Sequence, residues 1–145
     1  MLYSEQAAWF AQRRALAPQK KCILLTHHQP FSTYGPPEPA FERRFRPLAE
    51  SGHIDAWIWG HEHACVLYGS CGGIRYPLLL GHGGFPQRPM SRTSKAGLPI
   101  QFEWTKQSPS GDLAFGFAVF DFDRDSINVQ LVAQDGPVEH SFRIS

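Results

Sequence analysis

An α/β fold, one βαβ unit followed by mostly antiparallel strands, is predicted by three features of the sequence. Two short apolar runs, Cys22-Ile23-Leu24-Leu25-Thr26 and Ile54 to Trp59, flank a helix-patterned stretch, which is the arrangement of a parallel crossover. Each run ends in histidine: His27-His28 follows the first, and Gly60-His61-Glu62-His63 the second. Beyond His63 the chain breaks into strand-like pieces separated by turn residues, with no helical pattern among them.

The elements follow in order. Ser4 to Leu16 places Ala7, Ala8, Phe10, Ala11 and Ala15 at near-helical spacing, with Ser4 as N-cap and Pro18 beyond the end, and predicts an amphipathic helix. Cys22 to Thr26 is continuously apolar, the pattern of a central strand covered on both faces. Gln29-Pro30 and Gly35-Pro36-Pro37 cannot extend its ladder. Pro39 to Ser51 is helical with Phe41, Phe45, Leu48 and Ala49 on one side, Pro47 is expected to kink or split it, and Gly52 ends it. The right-handed crossover then makes the two flanking strands parallel and brings His27 and His61 to one sheet edge.

Further strands are expected at Val66 to Tyr68, Ile74 to Leu80, Ile100 to Trp104, Phe115 to Asp123, Ile127 to Ala133 and Val138 to Ile144. The strand from Phe115 carries apolar residues on both faces, which suits cover on both. Turns at Asp123 to Ser126 and Asp135-Gly136-Pro137 predict a terminal antiparallel meander. The stretch from Gly83 to Pro99 reads as a long irregular loop carrying Arg88, Arg92 and Lys95, whose charges could meet a phosphate or be solvated. No domain boundary is visible, so residues 1–145 read as one domain or part of one.

Composition excludes some classes. With 145 residues, 42% apolar and 19% charged, the chain is long and apolar enough to bury a core. A formal charge of +1 and no long basic block give no footprint for nucleic acid or an acidic membrane. Arg43, Arg44 and Arg46 are the densest basic group and read as a solvated helix face. The start lacks a secretory signal and no apolar run reaches a membrane span, so a cytoplasmic location is expected. Cys22, Cys65 and Cys71, an odd number in no C-x-x-C pair, read as buried thiols.

His61 and His63, two apart in an extended segment, point the same way and can address one metal or two adjacent ones; His27 joins them from the matching strand end. His28 turns to the other side, which suits substrate contact or orientation of His27. His82, within Leu80-Gly81-His82-Gly83-Gly84, has glycines that let backbone approach a ligand; substrate contact and a tight-turn role are both open. Phe31 and Tyr34 could stack on a substrate or cover the core.

Leu24 to Pro30 resembles the fourth motif of the calcineurin-like metallophosphoesterases, and Gly60-His61-Glu62-His63 is similar to their G-H-x-H fifth motif. The spacing between them, the segment around Glu5 to Phe10 and Gly81 to Pro86 also resemble the C-terminal half of that family. The resemblance implies a partial αββα metallophosphoesterase sandwich and hydrolysis of phosphate esters by metal-activated hydroxide. It further implies a dinuclear centre of Mn, Fe or Zn, with His27 and His61 on the second metal and His63 on the first.

The family's D-x-H, G-D-x-x-D and G-N-H-E/D motifs, which supply the bridging and other carboxylates, do not occur in this sequence. Two divalent cations about 3.5–4 Å apart repel strongly and need anionic ligands between them. Glu62, the one carboxylate inside the motif, points away from His61 and His63 in an extended segment, and Asp55 stands at the other end of its strand. The expectation is therefore a truncated or split phosphoesterase, its start internal to a longer enzyme, which leaves Cys22 to Thr26 or its neighbour with an unpaired apolar edge. The chain alone would hold at most one metal and have little or no activity, and either a missing N-terminal half or a second chain would complete it. Two alternatives stand beside this: a mononuclear zinc hydrolase built on His27, His61 and His63, and a non-catalytic interaction module.

Overall fold

In the computed structural model, which describes residues 2–37, 39–93 and 97–145, the two apolar runs form the expected parallel pair. β1 (Ile23–Thr26) and β2 (Ala56–Trp59) run in register from Ile23 opposite Ala56 to Thr26 opposite Trp59, joined through α2 (Pro39–Glu50). Both strands therefore stop level, and the histidines that follow emerge together. β4 (Tyr76–Leu80) lies parallel on the other side of β2, and β3 (Cys65–Tyr68) is antiparallel to both β4 and β5 (Ile100–Glu103). The five-stranded sheet has the order β1-β2-β4-β3-β5. β6 (Gly116–Asp123), β7 (Ser126–Ala133) and β8 (Val138–Ile144) form the expected antiparallel meander as a second sheet.

Side-chain alternation assembles these into layers. Trp57 of β2 packs with Phe41 and Phe45 of α2, while Ala56 on the opposite face packs with Ile127, Val129 and Ile144 of the second sheet. Helices, large sheet and small sheet thus stack as a partial αββα sandwich. Phe31, Trp59 and Tyr68 form an aromatic knot at its centre, with Trp59 stacked on Tyr68 at 5.7 Å. Phe31 therefore covers core, and Tyr34 donates its hydroxyl hydrogen to Glu103 Oε1 at 2.6 Å.

Several sequence expectations need correction. β1 has the unpaired edge expected of a sheet that lacks some of its strands, but Leu25 is 70% exposed, so the run is not covered on both faces: an apolar run reports burial propensity and not cover. α1 (Leu2–Leu16) forms, yet it is buried along one stripe, with Phe10 covered, Ala7 and Arg14 partly so, and Ala8, Ala11 and Ala15 exposed. Ser4, the expected cap, falls inside this helix, and its side chain lies outside the described residues.

α2 continues through Pro47 without splitting. The proline sits in the last turn, where its missing N–H forfeits a single hydrogen bond, and its carbonyl still accepts from Ser51 N at 3.1 Å. Gly52, at φ +73°, closes the helix as expected. β6 is covered on one face only; Phe117 and Val119 are exposed on the other.

The loop from Gly83 to Pro99 is irregular where described. It is tied to the segment after His28 by Thr93 N donating to Thr33 O at 2.9 Å and to the end of β5 by the Arg92–Glu103 ion pair, while Arg88 pairs with Asp112 at 3.2 Å. Arg88 and Arg92 are thus engaged with carboxylates; Lys95 lies outside the described residues. Cys22, Cys65 and Cys71 are free thiols, and burial pushes Cys65 up and Cys71 up to about 11.

Candidate metal centre

Backbone geometry brings the histidines together before any side chain acts. At the end of β1 the carbonyl of His27 accepts two hydrogen bonds from across the sheet, from His61 N at 2.9 Å and Gly60 N at 3.3 Å. The chain bends at His27 and His28, so strand alternation ends there. Thr26 holds the bend: its Oγ1 accepts from Trp57 Nε1 at 2.8 Å and donates to the carbonyl of His28 at 2.8 Å.

The bend brings His28 round to the side of its neighbours, against the expectation of an extended chain. His27, His28 and His61 each offer a ring nitrogen within 4.8 Å of the others. Their ring centroids lie 4.9 to 5.1 Å apart, and His61 Nδ1 stands 3.0 Å from His27 Nε2, one of the pair donating. Burial, and then the charges that His27, His28 and His63 would carry, hold His61 below the usual imidazole value. Neutral imidazole is the form that ligates a metal.

His63 stands outside this trio. It is half-buried and packs its ring on Phe85, centroids 4.8 Å apart. Glu62 turns inward, with Trp59 Nε1 donating to its Oε2 at 3.4 Å, and burial raises its carboxyl above the ordinary value. His82 is 1% exposed and packs against Trp104 at 4.4 Å, with neither ring nitrogen hydrogen-bonded among the described residues. Burial drops it to about 4, so it stays an uncharged core imidazole with no surface for a substrate.

Gly81, directly before His82, serves the histidine turn. A Cβ on Gly81 would stand 2.1 Å from the carbonyl oxygen of Glu62 and 2.5 Å from that of Gly60. Gly81 therefore leaves room for the backbone that presents His61. Thr26, Trp57 and Gly81 went unnoticed as site residues in the sequence. The hydroxyl directly preceding His27 was the one signal available.

The donor set fits one divalent cation: three neutral imidazoles with a further position open are an established ligand set. It does not fit two, since the trio contains no carboxylate to lie between them.

A family model described as calcineurin-like phosphoesterase matches residues 2–65, which include all four histidines of the two strand ends. Purple acid phosphatase PPD1 from yellow lupin (Lupinus luteus) seeds is similar in structure, with a TM-score of 0.70 and 20% identity over 99% of this chain and 28% of that one. GAP50, the anchor in the inner membrane complex of Plasmodium, is similar with a TM-score of 0.66 and 16% identity over 86% of this chain and 36% of that one. No curated protein matches the sequence.

The family model covers fewer than half of the residues, and the two structural likenesses show the fold. The chain spans 28% and 36% of the two solved structures. No described helix is long and apolar enough to cross a membrane.

Proposed function

We propose that this chain is the histidine-bearing, C-terminal part of a metal-dependent phosphoesterase. The observation that carries the reading is the convergence of His27, His28 and His61 at the level ends of two parallel strands. These residues would hold one divalent cation, of Mn, Fe or Zn, which supplies Lewis acidity toward a phosphate ester when bound. The protein positions the imidazoles through the His27 carbonyl and the Thr26 hydroxyl, and burial together with the neighbouring histidines favours the neutral form of His61. His63, whose ring packs on Phe85, is not among the three ligands of this cation. The carboxylates for a second ion come from outside this sequence, so the isolated chain has little or no activity. Three free thiols suit a reducing, cytoplasmic setting.

Titration of the purified chain with zinc or manganese, followed by calorimetry and metal analysis, tests this. One equivalent is expected, lost in His27→Ala and His61→Ala, with negligible turnover of an aryl phosphate monoester. Tight binding of two equivalents, or binding untouched by both substitutions, would overturn it. A second reading, a non-catalytic interaction module, is favoured by the likeness to a protein described as an anchor and by the carboxylate-free trio. Turnover of the ester by the metal-loaded chain would exclude that module.

A further inference from the structure

Polar burial in this molecule is concentrated behind the histidines. Of the five polar residues buried among the described ones, Gln29, Ser32 and Thr33 fall within the five positions that follow His28. The segment they belong to is closed on itself: Gln29 Nε2 donates to Pro36 O at 3.1 Å, and Tyr34 N donates to Ser32 Oγ at 3.0 Å. Thr33 N donates to the Tyr68 hydroxyl oxygen at 3.3 Å, which ties the segment to β3.

Glu62 reaches this segment from the other histidine turn. Its side chain leaves the trio for the interior, with the long bond from Trp59 Nε1 to Oε2 at 3.4 Å. Oε1 is shielded from solvent and lies over Gly35, where an added Cβ would stand 3.8 Å from it. Burial raises the Glu62 carboxyl, and the Ser32 hydroxyl and the Trp59 indole draw it back down, which puts Ser32 against it. Ser32 Oγ already accepts from Tyr34 N, so its own hydrogen is left to face the carboxyl.

The main chain of Glu62 is fixed as well. Its carbonyl accepts from Ala64 N at 2.7 Å and is the atom for which Gly81 leaves room. One residue thus belongs by its backbone to the turn that carries His61, and by its carboxyl to the segment that continues from His28. The bonds from Gly60 N and His61 N to the His27 carbonyl join the two turns at their root. Glu62 joins them further out.

Stability alone does not call for a carboxyl here. Oε1 has no hydrogen-bond partner among the described residues, and a buried carboxyl so poorly paired returns little of its desolvation cost. We propose that Glu62 is a positioning residue of the metal centre. It holds residues 60–63 and the segment after His28 in the relation that lets His27, His28 and His61 share one cation. The inference rests on the metal reading above and adds to it the side chain that sets the spacing of the ligands.

Zinc titration and the visible absorption of the cobalt(II)-loaded chain test it, beside urea unfolding of each metal-free variant. Glu62→Leu is expected to bind zinc about tenfold more weakly and to shift the cobalt bands, while unfolding no more readily than the unaltered chain. Glu62→Gln, which keeps an acceptor for Trp59 and Ser32, is expected to bind zinc as the unaltered chain does. Should Glu62→Leu fail to fold, Ser32→Ala takes its place, with weaker zinc binding expected in the same direction. Without metal, nuclear Overhauser contacts between the His27 and His61 rings, whose centroids lie 4.9 Å apart, should weaken in Glu62→Leu and persist in Glu62→Gln. Zinc affinity and ring contacts indifferent to the loss of the carboxyl, an equal loss in Glu62→Gln, or affinity falling only in step with stability would overturn the proposal. If the unaltered chain takes up no zinc, the metal reading falls, and the ring contacts alone decide whether Glu62 sets the spacing.

Discussion

β1 and β2 are strands of one crossover, equal in length and alike in composition, yet all four residues of β2 are buried while Leu25 of β1 stands in solvent. Position in the sheet makes the difference. β2 lies between β1 and β4, with α2 on one face and the second sheet on the other, whereas β1 has one neighbour. The histidines follow both strands, so the candidate centre is anchored on one side by the deepest part of the core and on the other by its margin.

The contrast can be broken or sharpened by experiment, beginning with the core. Trp57→Ala is expected to cost about 3–5 kcal/mol in urea unfolding, since it empties the space against Phe41 and Phe45 and removes the donor to Thr26. A loss below ~1 kcal/mol would show β2 to be no better supported than β1.

Acid is the next lever on the buried half. His82 titrates near 6.5 when unfolded and at about 4 when folded, so the neutral ring's advantage is complete above pH 6.5. It drains as pH falls from 6.5 to about 4, by at most ~3 kcal/mol, and is constant below. Stability measured across that window should lose this slope in His82→Phe; an unchanged slope would assign the acid sensitivity to other groups.

Gly81→Ala is expected to destabilise by about 1–3 kcal/mol and to weaken zinc binding together with it, because the added carbon displaces the turn that carries His61. Stability lost with zinc affinity unchanged would separate that turn from the trio. The smallest effect belongs to the margin: Leu25→Lys should change stability by less than ~0.5 kcal/mol while reducing aggregation through the open edge. A large loss would mean that β1 is buried in solution.

The sequence revealed the parts of this fold that repeat along the chain. Apolar runs, turn residues and a helix-length spacer were enough for the crossover and the final meander, because these depend on local pattern and short connections. Sheet order was not legible. Nothing in Ile23 to Thr26 distinguishes an edge from a centre, and the β2–β4 pairing is made across an intervening strand. The same limit applied to the histidines. His27 and His61 were readable from level strand ends, but the position of His28 depends on a bend set by Thr26 and Trp57, residues 31 apart in sequence. His82 sits between glycines that suggest a ligand, and those glycines make room for another stretch of the same chain.

The His27 carbonyl, which accepts from both Gly60 and His61, couples two events usually treated apart. An ion gripped by His27 and His61 and a further strand paired along the open edge of β1 would hold down the same short strand. Each would then suppress the fraying that weakens the other, and by reciprocity each would raise the other's affinity by the same factor, without any change of shape between them.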